Sequence, residues 1–74
     1  MNPDLLRAAG ELLHGREVWK KPLAHDLGVN QRTIHRWAAG QFLIPPGIGP
    51  ELVKLLQGRK GEAEELISLL LDGR

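Results

Sequence analysis

Apolar residues recur along this chain at helical intervals, and they fall into five short blocks. Asn2-Pro3-Asp4 opens the first predicted helix with a cap, a proline at the first helical position and an acid in the first turn. Leu5, Ala9, Leu12 and Leu13 give it one apolar face, and it ends near His14-Gly15. Gly10 inside it costs about 1 kcal/mol relative to Ala, and its place suits a close approach by another helix. Arg16 to Lys21 connects onward, with Val18 and Trp19 as apolar anchors and Trp19 read as a partly buried core residue. The second block, Leu23, Ala24 and Leu27, is a stripe at i, i+1 and i+4, closed by Gly28, which takes the positive φ that ends a helix. Asn30 then caps a third helix, Gln31 to Ala39, whose inner face is Ile34, Trp37 and Ala38. Gly40 is its stop.

Gln41 to Pro50, QFLIPPGIGP, is too rich in Pro and Gly for helix, yet it carries Phe42, Leu43, Ile44 and Ile48. Some of these are expected to close the core and others to face a partner. Pro50-Glu51 opens a fourth helix with Leu52, Leu55 and Leu56 buried and Gly58 as its stop. A last helix, Lys60 to Asp72 within a terminal segment 59–74, has Ala63, Leu66, Ile67, Leu70 and Leu71 on a wide apolar face. That face has two readings: it packs back on its own domain, or it is a surface for self-association. The expected architecture is therefore all-α, a compact bundle of four to five short helices in a single domain, 1–74. Leu-rich composition, the absence of Tyr and the scarcity of β-branched residues favour helix over strand in the same way.

With Ile34 and Trp37 turned inward, the third helix shows solvent Gln31, Arg32, His35 and Arg36. Side chains of this long or forked type reach base edges in a DNA major groove. No acid interrupts Gly28 to Gly40, so this face suits a polyanion. Two short helices around a Gly turn also match the helix-turn-helix. The stretch LAHDLGVNQRTIHRWAAG, Leu23 to Gly40, resembles the helix-turn-helix of the Cro and phage-repressor (XRE-type) family. In that pattern a small Ala stands four residues before a Gly, with apolar residues six and nine after the Gly. Here these are Ala24, Gly28, Ile34 and Trp37. The run Arg36-Trp37-Ala38-Ala39-Gly40, with Ile44-Pro45-Pro46 soon after, looks like the end of the recognition helix and its following loop. Where the family often has Gln at the start of the first motif helix, this chain has Lys20, and Pro22 falls in that helix's first turn.

The resemblance implies a lambda-repressor-like fold, with the motif at about 20–40, and sequence-specific binding of double-stranded DNA. Gln31, Arg32, His35 and Arg36 would then read bases, and Lys20, Lys21, Asn30, Thr33 and Gln41 would meet the backbone. Each has a plainer alternative. A Lys pair at a helix start is ordinarily solvated, Asn30 is first a cap, and Thr33 can bond back to its own helix. Trp37 is expected in the core, not stacked on a base. A homodimer on half-sites one helical turn apart, joined through the Phe42–Ile48 loop or the 60–72 helix, is the arrangement the family implies. The function expected is a small transcriptional regulator, a repressor in type. The alternatives are a DNA-targeting piece of a recombination or toxin–antitoxin system, or a protein-interaction module on the same scaffold.

Composition changes this picture little. The formal net charge is +1, but residues 1–58 hold seven Lys and Arg against five acids, and residues 59–74 hold three against four. Nucleic acid is thus expected at the middle of the chain and not at its end. Without Cys there is neither a disulfide framework nor a zinc finger. His14, His25 and His35 lack metal-ligand spacing, Glu64 and Glu65 point to different faces, and Ser68 sits in a helix and not at a nucleophile elbow. No enzyme activity, cofactor, metal or small-molecule ligand is expected. No membrane span or signal-peptide core is present, and the expected location is the cytoplasm, at the nucleoid when DNA-bound.

Overall fold

The computed structural model describes residues 1–72, and among these it has four helices and no strand. They are α1 (Pro3–His14), α2 (Lys20–Leu27), α3 (Gln31–Ala38) and α4 (Ile48–Asp72). Gly73 and Arg74, the end of the segment expected at 59–74, lie outside the described residues.

α1 starts as its sequence dictates. The Asn2 side-chain oxygen accepts from the Leu5 amide at 2.8 Å, Pro3 needs no partner for an N–H it lacks, and Asp4 sits at the positive end of the helix dipole. Its buried face is Leu6, Ala9, Gly10 and Leu13, whereas Leu5 and Leu12 are exposed. The expected stripe was therefore turned by part of a helical turn. A Cβ at Gly10 would overlap the Trp19 ring, standing 2.8 Å from Cδ2. The missing side chain leaves room for the Trp19 indole against α1, and Gly10 lies on the buried face of the helix. Trp19 is 3% exposed while its neighbour Val18 is open to solvent, so one of the two expected anchors serves.

α2 begins at Lys20 with no side-chain cap, and the Leu23 amide donates to the Trp19 carbonyl at 3.0 Å. Pro22 sits in the first turn, where its lack of an N–H costs nothing. Gly28 ends α2 at φ 68°, ψ 31°, and the Val29 amide returns to the Ala24 carbonyl at 2.9 Å. Asn30 then caps α3, its side-chain oxygen accepting from the Arg32 amide at 2.8 Å. α1, α2 and α3 pack on one another, and the start of α4 packs on α1. The core is Leu6, Ala9, Leu13, Trp19, Leu23, Ala24, Ile34, Trp37 and Leu52, flanked by half-buried Ile44, Ile48, Leu55 and Leu56. His14 Nε2 meets Asp26 Oδ2 at 2.6 Å and ties the end of α1 to α2.

The largest departure from the sequence reading is α4. Gly58 does not stop a helix, and no separate helix begins at Lys60; one 25-residue helix runs through both Gly58 and Gly61. Neither glycine takes a positive φ. The pairs Arg59–Glu62 at 3.7 Å and Lys60–Glu64 at 4.0 Å span this stretch at helical spacing. A helix of this length is about 37 Å long at 1.5 Å per residue. It therefore outruns the core and gives the molecule extents of 49 × 23 × 20 Å. Every described residue from Gln57 onward is exposed, so this part of the chain does not pack back on its own domain. No helix among the described residues is long and apolar enough to cross a membrane.

Because a Cβ at Gly58 or Gly61 meets open space, Gly58→Ala and Gly61→Ala should each favour the helix by about 0.5–1 kcal/mol. Circular dichroism at the helix band is expected to rise. A fall would mean that the chain breaks at these residues.

Candidate nucleic-acid interface

Capping by Asn30 and burial of Ile34 and Trp37 fix the rotation of α3, and with it the face shown to water. Gln31, Arg32, His35 and Arg36 are all exposed on that face, as the spacing predicts. The neighbouring elements then add to it. Arg7 of α1, Lys20 of α2, Arg32, His35 and Arg36 of α3, and Gln41 just beyond α3 line one open concavity of about 520 Å³. It contains four cations from three helices and no carboxylate. A second hollow, about 490 Å³, continues from it past Lys20 and His35 to Lys21, Gln31, Trp19, Val18, Arg16 and Glu17.

His35 is the hinge of the arrangement. Lys20 Nζ lies 3.5 Å from its Nδ1 and the Gln31 amide nitrogen 3.4 Å from its Nε2, both at the long end of hydrogen bonding. An ammonium only donates, so Nδ1 is the acceptor in the Lys20 contact. The Lys20–His35–Gln31 row thereby links α2 to the exposed start of α3. Lys20 Nζ also stands 5.8 Å from the Trp19 ring centroid, so the buried indole holds the base of the lysine while its charge stays in water.

Arg36 is held from the other side. Its guanidinium lies 5.3 Å from the Phe42 ring centroid, within cation–π reach. The Gln41 amide donates to the Arg36 carbonyl at 3.0 Å and fixes the turn that brings Phe42 there. Periodicity along the sequence places neither Phe42 nor Arg7 on this surface, and by sequence Phe42 is a core or partner contact. Arg7 lies in a different helix from the rest, and only the packing of α1 against α3 reveals its place.

The remaining sequence candidates are spread more widely. Lys21 is exposed and lines the second hollow beside Arg16, not the first. The Asn30 oxygen is committed to the cap of α3, which leaves its amide nitrogen to face outward. Thr33 is half-buried and lines neither hollow. Among the described residues, Arg7, Arg16, Lys20, Lys21, Arg32 and Arg36 have no carboxylate partner. Their charge is thus available to an external anion, whereas Asp26, the acid of α2, is engaged by His14. No group of acidic or imidazole side chains among the described residues could hold a metal ion. Comparison with protein-family models, with curated proteins and with solved structures gave no match to this chain.

Proposed function

We propose that this protein binds double-stranded DNA, with α2 and α3 acting as a helix-turn-helix and α3 lying in the major groove. The observation that carries the reading is the unpaired cationic surface of Arg7, Lys20, Arg32 and Arg36 on three helices, with no acid among its lining residues. An α-helix fits the major groove, and the residues α3 holds outward are of the types that contact bases there. Arg32 and Arg36 present forks that match the two acceptors of guanine, and the Gln31 amide matches adenine. Lys20 and Arg7 flank the helix and are placed for phosphates. Lys21, Asn30, Thr33 and Gln41 are assigned supporting backbone contacts, Lys21 from the second hollow and Asn30 through its amide nitrogen. A protein of this kind regulates transcription by occupying its site, and we assign it that role.

Two single substitutions separate base reading from phosphate contact. Arg32→Ala is expected to cost about 1–3 kcal/mol of specific affinity and to relax preference at one base pair. Lys20→Ala is expected to weaken binding to every duplex alike and to lower the slope of log K against log salt by about 1. Fluorescence anisotropy on matched and scrambled duplexes over a salt series reads both. If Arg32→Ala leaves both affinity and preference unchanged, α3 is not the reading helix.

A further inference from the structure

α4 continues for 16 residues, 57–72, beyond the last core contact, and every described residue there is exposed. A helix stretch of this length is marginal in water on propensity alone, and two glycines weaken it further. At 100° per residue, six of its apolar positions, Leu52, Leu56, Ala63, Leu66, Ile67 and Leu70, nevertheless fall within one stripe about 100° wide, which Arg59 shares, while Val53, Leu69 and Leu71 lie outside it. The first part of that stripe packs on α1, and the rest continues past the end of α1 with nothing against it. At the junction, Leu12 of α1 joins Leu56, Arg59, Lys60 and Ala63 around a shallow hollow of about 340 Å³.

We infer that this stripe is the interface with a second copy of the chain, the two α4 helices crossing antiparallel near Ala63. In that register Leu66 of one copy meets Lys60 of the other, Ile67 meets Arg59, and Leu70 meets Leu56. Each projecting helix thus fills the hollow beside Leu12 of its partner. Ala63, the smallest side chain of the stripe, stands at the crossing and admits the closest approach. The contact is self-complementary, as a two-fold interface must be.

Charge favours the same pairing. The antiparallel register brings Lys60 of each copy within about half a turn of Glu64 of the other, both at the same edge of the stripe. Parallel pairing in register instead turns Glu62 of one copy toward Glu64 of the other. Leu12, Leu66, Ile67 and Leu70 are each more than half exposed, and each leaves on the order of 100 Å² to water. With Ala63 and the outer part of Leu56, two copies would cover roughly 1,000 Å², about where a specific interface begins. The pairing is independent of the DNA reading and is measured without DNA.

Analytical ultracentrifugation of the full chain from low to high micromolar concentration is expected to show a reversible dimer of twice the chain mass. The double variant Leu66→Asp, Leu70→Asp is expected to remain a monomer with its near-ultraviolet signal intact, since both residues lie outside the core. A wild-type monomer throughout the range overturns the proposal. So does a dimer that persists in the folded double variant, which would put the contact elsewhere, for instance at the exposed Phe42-Leu43 loop. Because the chain has no cysteine of its own, Arg59→Cys and Ile67→Cys can be mixed under oxidation. A disulfide in the mixture well above that of either variant alone is the antiparallel result. Efficient self-linking of each, with none gained on mixing, means a parallel pair and refutes the register.

Discussion

Trp37→Ala is expected to cost about 3–5 kcal/mol, the range for deleting a large aromatic from a packed core. A chain of 74 residues at about 0.05–0.15 kcal/mol each holds roughly 4–11 kcal/mol in all. The variant should therefore sit near the edge of unfolding. Trp37 is 6% exposed and belongs to the cluster that joins α1, α2, α3 and α4. No cysteine or metal cluster among the described residues can offset the loss. Urea denaturation followed by circular dichroism, with the Trp19 fluorescence as a second probe, measures the change. Phe42→Ala is the control: that ring is largely exposed, so stability should move by no more than about 0.5 kcal/mol. What Phe42→Ala should change is the orientation of Arg36 and, with it, DNA affinity. If Trp37→Ala instead kept full stability and lost DNA binding, the indole would belong to the interface and the packing described above would be wrong.

The second large effect is expected from Arg32→Glu combined with Arg36→Glu. Both residues are exposed, so the fold should be unaffected. On the proposed surface, however, two cations facing a polyanion become two carboxylates. Loss of each base contact alone is worth about 1–3 kcal/mol, and like-charge repulsion adds to it. The pair should therefore lower affinity for a cognate duplex at least a hundredfold, which is about 3 kcal/mol or more. Binding to an unrelated duplex should fall as well, because its phosphates meet the same reversed charge. Anisotropy titration gives the affinities, and an unchanged urea midpoint shows that the fold survived. A loss of only a few-fold would place the DNA contact away from α3.

Local signals in the sequence carried much of this structure, and they failed where a long-range contact decided the outcome. Asn2-Pro3-Asp4, Gly28 and Asn30 act through their own backbone neighbours, so the starts of α1 and α3 and the end of α2 could be read directly. Ile34 and Trp37 fixed the rotation of α3 because no other pair of positions offers it an apolar face. The facing of α1 was different. Its sequence allows stripes through Leu5 and Leu12 or through Leu6 and Gly10, and the Trp19 ring, which approaches from a separate segment, packs against the second. Gly58 misled for a related reason. A glycine after an apolar run is a sound stop signal when the following residues break away. Here neither glycine takes a positive φ, and the exposed pairs Arg59–Glu62 and Lys60–Glu64 keep helical spacing across the stretch. At the interface, the outward residues of α3 followed from periodicity, but Arg7 joined them only through the packing of α1 on α3. Phe42, four residues beyond the end of α3, entered through its ring contact with Arg36.

Whether α3 reads sequence in duplex DNA is decided by selection from a random duplex pool at physiological salt. The wild-type chain is expected to enrich one short motif, and Arg32→Ala selected in parallel is expected to lose preference at a single position within it. A pool that stays random, with weak binding that disappears as salt rises, would reduce the cationic face to nonspecific phosphate contact and contradict the claim.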